Sequence, residues 1–393
     1  MQLGYRLAAT LLAISCFPLS AVGETLNKIE ITATNNYQSV IVEQPEELKT
    51  TDDNALTTYV FERARFQNNK DPQLFIDVMD WVASQWQHDG MNQPPAGTSS
   101  LDILKKVHDE GERYRCVEYG QVMADILSAM GHHTRQIGLQ TSEVAYGGFG
   151  MGHVATEVWS NALGKWVFFD PQFSIYALHN GEYLNIHDIY QLKRQQQYDQ
   201  IQFLVTEQFA RLNQLDVEAI KSDYANFLSN YLGFHISSRH LYGERQRVFL
   251  MMEAKTPPLT FQGMGSEYPK LFTQNPDIAY PELNKTSIAM TALPNAQSDF
   301  QTLMEEHGIE TNEQYLEHQW RFAAKGEISM QFYTAMDRFS HFQIRQNREE
   351  WVDIEGESFV WPLNKGENRF EVRSISETIV AGPITFVDIR YSL

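Results

Sequence analysis

Cysteine is nearly absent from this chain: residues 16 and 116 are the only two among 393. Cys16 lies in an amino-terminal segment expected to be removed, which leaves Cys116 as the single thiol of the mature chain. No intramolecular disulfide is then open to it, even in an oxidising compartment. Basic charge is also scarce, with 31 Lys and Arg against 50 Asp and Glu and a formal net charge of −19. That balance argues against nucleic acid and anionic membrane surfaces as partners. Beyond residue 23 no apolar run is long enough to span a bilayer, so no transmembrane anchor is expected. His, Cys, Asp and Glu form no cluster at metal-ligand spacing, so neither a metal nor a cofactor is expected.

The first 23 residues read as an export signal. Arg6 precedes the apolar run LAATLLAISCF, and Ala21-Val22-Gly23 supplies small residues at a cleavage point before Glu24. The expected destination is periplasmic or extracellular. Lipid attachment at Cys16 is the lesser reading, because Ala13 stands three residues before it where a larger aliphatic is wanted.

The stretch that carries chemistry runs from Arg115 to Gln172. After Cys116, apolar residues recur at 119, 122, 123, 126, 127 and 130, and Gly131 follows as a stop. Cys116 therefore sits at the start of a helix, where unpaired N–H groups and the helix dipole favour a thiolate. Downstream, GHVATEVWSNALGKWVFFDPQ holds two Val-, Trp- and Phe-rich runs around the four-residue loop Asn161–Gly164. Pairing Ser160 with Lys165 places Asp170 opposite Ala155, one pleat from His153 and on the same face. A His and a carboxylate so placed can meet; a slip of one residue would send them to opposite faces.

Cys116 with its helix, His153 in GHVATEVW and Asp170 in GKWVFFDP resemble, in that order, the transglutaminase-like superfamily of papain-type cysteine enzymes. The resemblance covers about Leu74 to Tyr190. It implies an α+β papain-type catalytic domain, with Cys116 as nucleophile, His153 as proton carrier and Asp170 as its orienting partner. No upstream side chain matches the family's additional oxyanion-stabilising residue. Trp81, Gln85 and Trp86 are candidates for oxyanion or substrate contacts in the cleft, with core or helix-surface packing the plainer reading of each.

Around this unit, residues 27–42 alternate as a strand or two and residues 54–67 look helical. Asp71-Pro72 reads as a helix cap followed by Pro at the first helical position, and Ser99-x-x-Asp102 opens a short helix. TRQIGLQ reads as a strand, and the glycine-rich loop SEVAYGGFGMG as a wall or lid of the cleft. His132 and His133 read as surface residues at a helix end. After Pro171 the chain reads as some 80 residues of helix. Five prolines between 257 and 281 then suggest a linker or a strand-poor crossover. Beyond it, alternating segments and a helical insert near 298–321 suggest an immunoglobulin-like β-sandwich, similar to the β-modules appended to exported bacterial enzymes. The expected organisation is a signal at 1–23, a catalytic domain with helical extension at 24–255, a linker at 256–283 and a β-sandwich at 284–393.

The expected activity is thiol-dependent hydrolysis of amide bonds in a protein or peptide substrate, cell-envelope material included. Two alternatives stand beside it. One is transfer of the same acyl group to an amine, which is protein cross-linking. The other is a binding or assembly protein that keeps the three residues without turnover.

Overall fold

The computed structural model describes residues 28–37, 53–140, 152–231, 233–241, 244–250, 270–294, 299–322 and 324–392. The expected signal with Cys16, the glycine-rich loop at 141–151 and the linker as far as 269 lie outside the described residues.

Four helices build the first half: Asp53–Arg63 (α1), Gln73–Ala83 (α2), Ser100–Glu110 (α3) and Cys116–Ala129 (α4). In α3 the Ser99 hydroxyl accepts the Asp102 N–H at 3.1 Å, and Gly111 ends the helix at φ 72°. In α4 the recurring apolar positions Tyr119, Val122, Met123, Ile126 and Leu127 are buried against α2, α3 and the sheet. Side chains of this size contribute roughly 1.5–3 kcal/mol each when fully buried. Gly131, at φ 87°, closes the helix as expected. Asp71 departs from expectation. It does not cap α2; its carboxylate accepts from the Ser160 hydroxyl at 2.6 Å and the Ala162 N–H at 3.0 Å. A nearby turn thus captures the carboxylate, tying the start of α2 to the loop of the predicted hairpin.

The strands of this half are Thr134–Gln140 (β2), Gly152–Ser160 (β3), Lys165–Asp170 (β4), Ile175–His179 (β5), Glu182–Tyr183 (β6), Gln202–Val205 (β7), Gly233–Leu241 (β8), Glu244–Leu250 (β9) and Lys270–Thr273 (β10). They follow Lys28–Thr34 (β1), which belongs elsewhere. The nine form one sheet in the order β10-β9-β8-β2-β3-β4-β5-β6, with β7 also on β5. The β3–β4 ladder runs from Ser160↔Lys165 to Thr156↔Phe169, the register expected from the sequence.

Three expectations fail around this sheet. The stretch after Pro171 is not continuous helix. Its helices Ile186–Arg194 (α5), Glu207–Leu212 (α6) and Val217–Ser229 (α7) alternate with β5 to β9. The cause at β5–β6 is local: Asn180 and Gly181 both take positive φ, 52° and 82°, the demand of a two-residue hairpin turn. Residues 270–283 are not a free connector either. β10 pairs with β9 in parallel, and a short helix follows at Pro276–Ala279. It is held because the buried Arg135 guanidinium donates to the Ala279 carbonyl and stacks over the Tyr280 ring, while Glu157 takes the Tyr280 hydroxyl.

The rest is β: Ser287–Pro294 (β11), Ala324–Tyr333 (β12), Phe339–Gln346 (β13), Val352–Ile354 (β14), Ser358–Pro362 (β15), Gly366–Ser376 (β16) and Thr385–Ser392 (β17). Two antiparallel sheets, β1-β17-β16-β13-β14 and β11-β12-β15, share a core containing Phe332, Phe342, Trp361, Phe370 and Val387. The helical insert appears as Phe300–Glu306 and Asn312–His318. The third failure is β1, expected with the catalytic region, which pairs instead with β17. Strand pairing is nonlocal, and β17 offers an open edge. The β-unit meets the helical half at Asp337. Its carboxylate accepts the His133 N–H at 2.9 Å and faces both His132 and His133. Those two residues are therefore junction residues, His132 buried and His133 half-buried, and not the surface pair expected.

Candidate active site

Cys116 is the first residue of α4, half-buried, and the only free cysteine among the described residues. The start of α4 is held firmly. Arg115, in extended conformation, donates its N–H to the buried Glu118 carboxylate at 3.1 Å, and its guanidinium reaches the same group at 2.8 Å. The Tyr119 hydroxyl donates to the Trp86 carbonyl at 2.6 Å, and Gln136 of β2 donates to the Val117 carbonyl at 2.8 Å. One turn beyond Cys116, Gly120 lets the helix lie directly on β3: a Cβ there would stand 3.0 Å from Val154 and 3.3 Å from the Gln136 amide. This close approach brings the thiol over the strand that carries His153.

The predicted register brings His153 and Asp170 together. The imidazole Nε2–H donates to Asp170 Oδ2 at 2.6 Å, and both side chains are buried. Nδ1 is then the ring nitrogen left free by Asp170, and Cys116 stands near enough to act on the charge of the ring. Burial alone would strip the imidazolium of its proton. The charge and hydrogen bond of Asp170, with a smaller contribution from Cys116, outweigh that and push the pKa up to about 10. All three sequence-predicted residues thus converge.

Sequence reasoning missed the rest of the surroundings. Tyr224 of α7 donates its hydroxyl to Asp170 Oδ2 at 2.8 Å, and Gln172 donates its N–H to Oδ1 at 3.1 Å. The His153 ring is edge-on to Phe227 at 5.1 Å and lies 5.9 Å from Phe173 and 6.2 Å from Tyr231. Tyr231 is close enough to feel Cys116: burial raises its pKa first, then the charges of Cys116 and Asp170. His88, after α2, is driven below its ordinary value by burial and then by His153. The apolar face of α7 was legible, but its pattern does not separate a tyrosine with a buried partner from a packing residue.

The upstream candidates Trp81, Gln85 and Trp86 lie on α2 and just after it. Trp86 is buried and stacks on Tyr119 at 4.2 Å, and the Gln85 amide turns back to the Trp81 carbonyl. Among the described residues no three His, Cys, Asp or Glu are placed to hold a metal ion, and no helix is long and apolar enough to cross a membrane.

What the arrangement can do chemically is pair a thiol with an imidazole whose far nitrogen is fixed by a carboxylate. No family model and no curated protein matches the chain. Among solved structures, the transglutaminase of red sea bream is similar over 86% of this chain, at 11% identity and a TM-score of 0.26. The chain spans 58% of the length of that structure, and the likeness is too distant to carry an argument.

Proposed function

We propose that this chain is a thiol-dependent amide hydrolase acting through an acyl-enzyme. The observation that carries the reading is the lodging of His153 between Asp170 and Cys116. The Cys116 sulfur attacks a substrate carbonyl, and backbone N–H groups at the start of α4 face the developing oxyanion. His153 gives its proton to the departing amine. It then takes one from the water that attacks the thioester, and Cys116 is released. Asp170 holds the imidazole in the tautomer that presents Nδ1 to the sulfur. The Arg6-led apolar segment supports action outside the cytoplasm, on protein or peptide substrates. The aromatic enclosure of His153 favours a second reading: excluding water lengthens the life of a thioester and lets an amine accept the acyl group.

One experiment separates these. The full chain is incubated with a peptide mixture rich in Gln and Lys and a fluorescent primary amine, beside Cys116→Ala. New N-termini that depend on Cys116 support hydrolysis, and amine adducts support transfer. Neither product, together with a thiol inert to iodoacetamide, would leave the binding or assembly reading in possession.

A further inference from the structure

Asp170 has three donors, and two of them share one oxygen. Oδ2 accepts both His153 Nε2–H at 2.6 Å and the Tyr224 hydroxyl at 2.8 Å, while Oδ1 accepts Gln172 N–H. The Tyr224 ring is packed among aromatic neighbours: Phe173 and Phe203 at 5.4 Å, Phe227 at 5.9 Å. A phenylalanine would make the same ring contacts. The hydroxyl adds the bond to Asp170. Burial, and then the charge of Asp170, hold that phenol protonated well past its ordinary range, so it remains a donor. A carboxylate oxygen that receives a second strong donor is less basic toward the first.

We propose that Tyr224 is a positioning residue that acts through Asp170, fixing the carboxylate and weakening its hold on the proton of His153. The consequence belongs to the second half of the reaction. Deacylation needs a neutral imidazole to take a proton from water, and a carboxylate with no other donor on Oδ2 would keep the ring charged to higher pH. Tyr224 thus lowers the pH at which His153 becomes a base. The inference rests on the acyl-enzyme reading above.

The titratable groups that face this centre are Cys116 on α4, Asp170 on β4, His88 after α2, and Tyr224 and Tyr231 on and just after α7, with Tyr198 beside Tyr224. His88 is shifted downward and His153 upward, so the two titrations are separable.

The test follows the His153 ring proton by NMR across pH in the full chain and in Tyr224→Phe. In parallel, p-nitrophenyl acetate reports acylation as a nitrophenolate burst and deacylation as the steady rate. The expected result is a folded variant with its burst intact. Its His153 titration and the rising limb of its deacylation move upward together by about one pH unit, a roughly tenfold slower deacylation at a fixed pH on that limb. Coincident titrations in a folded Tyr224→Phe would reduce Tyr224 to a space-filling ring. If that variant fails to fold, 3-fluorotyrosine placed at position 224, a stronger donor of nearly the same size, should move the titration downward; an unmoved titration there overturns the proposal. A parent chain that turns the ester over no faster than Cys116→Ala defeats the acyl-enzyme reading, while the His153 titration still decides whether Tyr224 tunes the imidazole.

Discussion

A single charge pair governs how this site depends on pH. The folded imidazole of His153 keeps its proton up to about 10, against roughly 6.5 in an unfolded chain. A group whose folded pKa is raised lends its full stability below the unfolded value and loses it as pH climbs through the folded one. The melting temperature of the parent should therefore decline between about pH 6.5 and 10, and Asp170→Asn should flatten that decline while still melting cooperatively. Turnover in Asp170→Asn should fall by roughly 10³- to 10⁴-fold, because an amide neither stabilises the imidazolium nor selects its tautomer. Thermal scans across that window and turnover of a small ester check both statements; equal turnover in parent and variant would remove Asp170 from the site. His153 and Asp170 were legible because side chains alternate along a strand with period two, which converts a spacing of 17 residues and one turn into a contact. Tyr224 was not, since it arrives from a helix 54 residues further on. His132 and His133 failed for the same reason, because their partner Asp337 lies some 200 residues away.

Among the elements, α4 was the most readable and is also the most exposed to error of placement. Its apolar recurrence, its start at Cys116 and its stop at Gly131 are all local signals, and all three stand. What the sequence does not show is how closely it lies on the sheet. Gly120 is the point of closest approach, and Thr156 of β3 donates to its carbonyl at 3.3 Å. A methyl group there meets Val154 and the Gln136 amide inside comfortable contact, so the helix or β3 must shift by a few tenths of an ångström. Gly120→Ala should gain helix propensity worth about 1 kcal/mol and lose more than that to overpacking, about 1–3 kcal/mol. The expected outcome is a modest fall in melting temperature with a larger fall in acylation rate, since the thiol moves relative to His153. A variant more stable than the parent and equally active would show that the helix does not set the spacing. The strands on either side of α5, β5 and β7, were less readable. QFLV and IYALH are short and flanked by Gln- and Tyr-rich segments of helical pattern, although Asn180-Gly181 marks a hairpin once it is noticed.

At the scale of the whole molecule, the β-unit is anchored at the end of α4 opposite the thiol. The helix runs fourteen residues from Cys116 to Ala129, which is about 20 Å of rise. The anchor is the Asp337 loop. Its carboxylate takes the His133 N–H, its carbonyl takes the Asn161 side chain at 2.8 Å, and the Ala335 carbonyl takes His133 Nε2–H, also at 2.8 Å. Asn161 belongs to the β3–β4 turn, so one loop grips the C-terminal end of α4 and the far end of the hairpin that carries His153 and Asp170. This joint was illegible in the sequence, as was the return of β1 to β17, because both pair residues hundreds of positions apart. Asp337→Ala removes a buried carboxylate and leaves the His133 N–H without its acceptor, a loss of about 1–3 kcal/mol for each buried group so stranded. The melting transition should broaden or split in calorimetry as the β-unit uncouples from the helical half. Turnover of a small ester should stay close to the parent value at temperatures below both transitions, since nothing within a turn of Cys116 changes. If ester turnover instead falls while calorimetry keeps one transition at the parent temperature, the junction controls the cleft directly and the β-unit is part of the catalytic machinery.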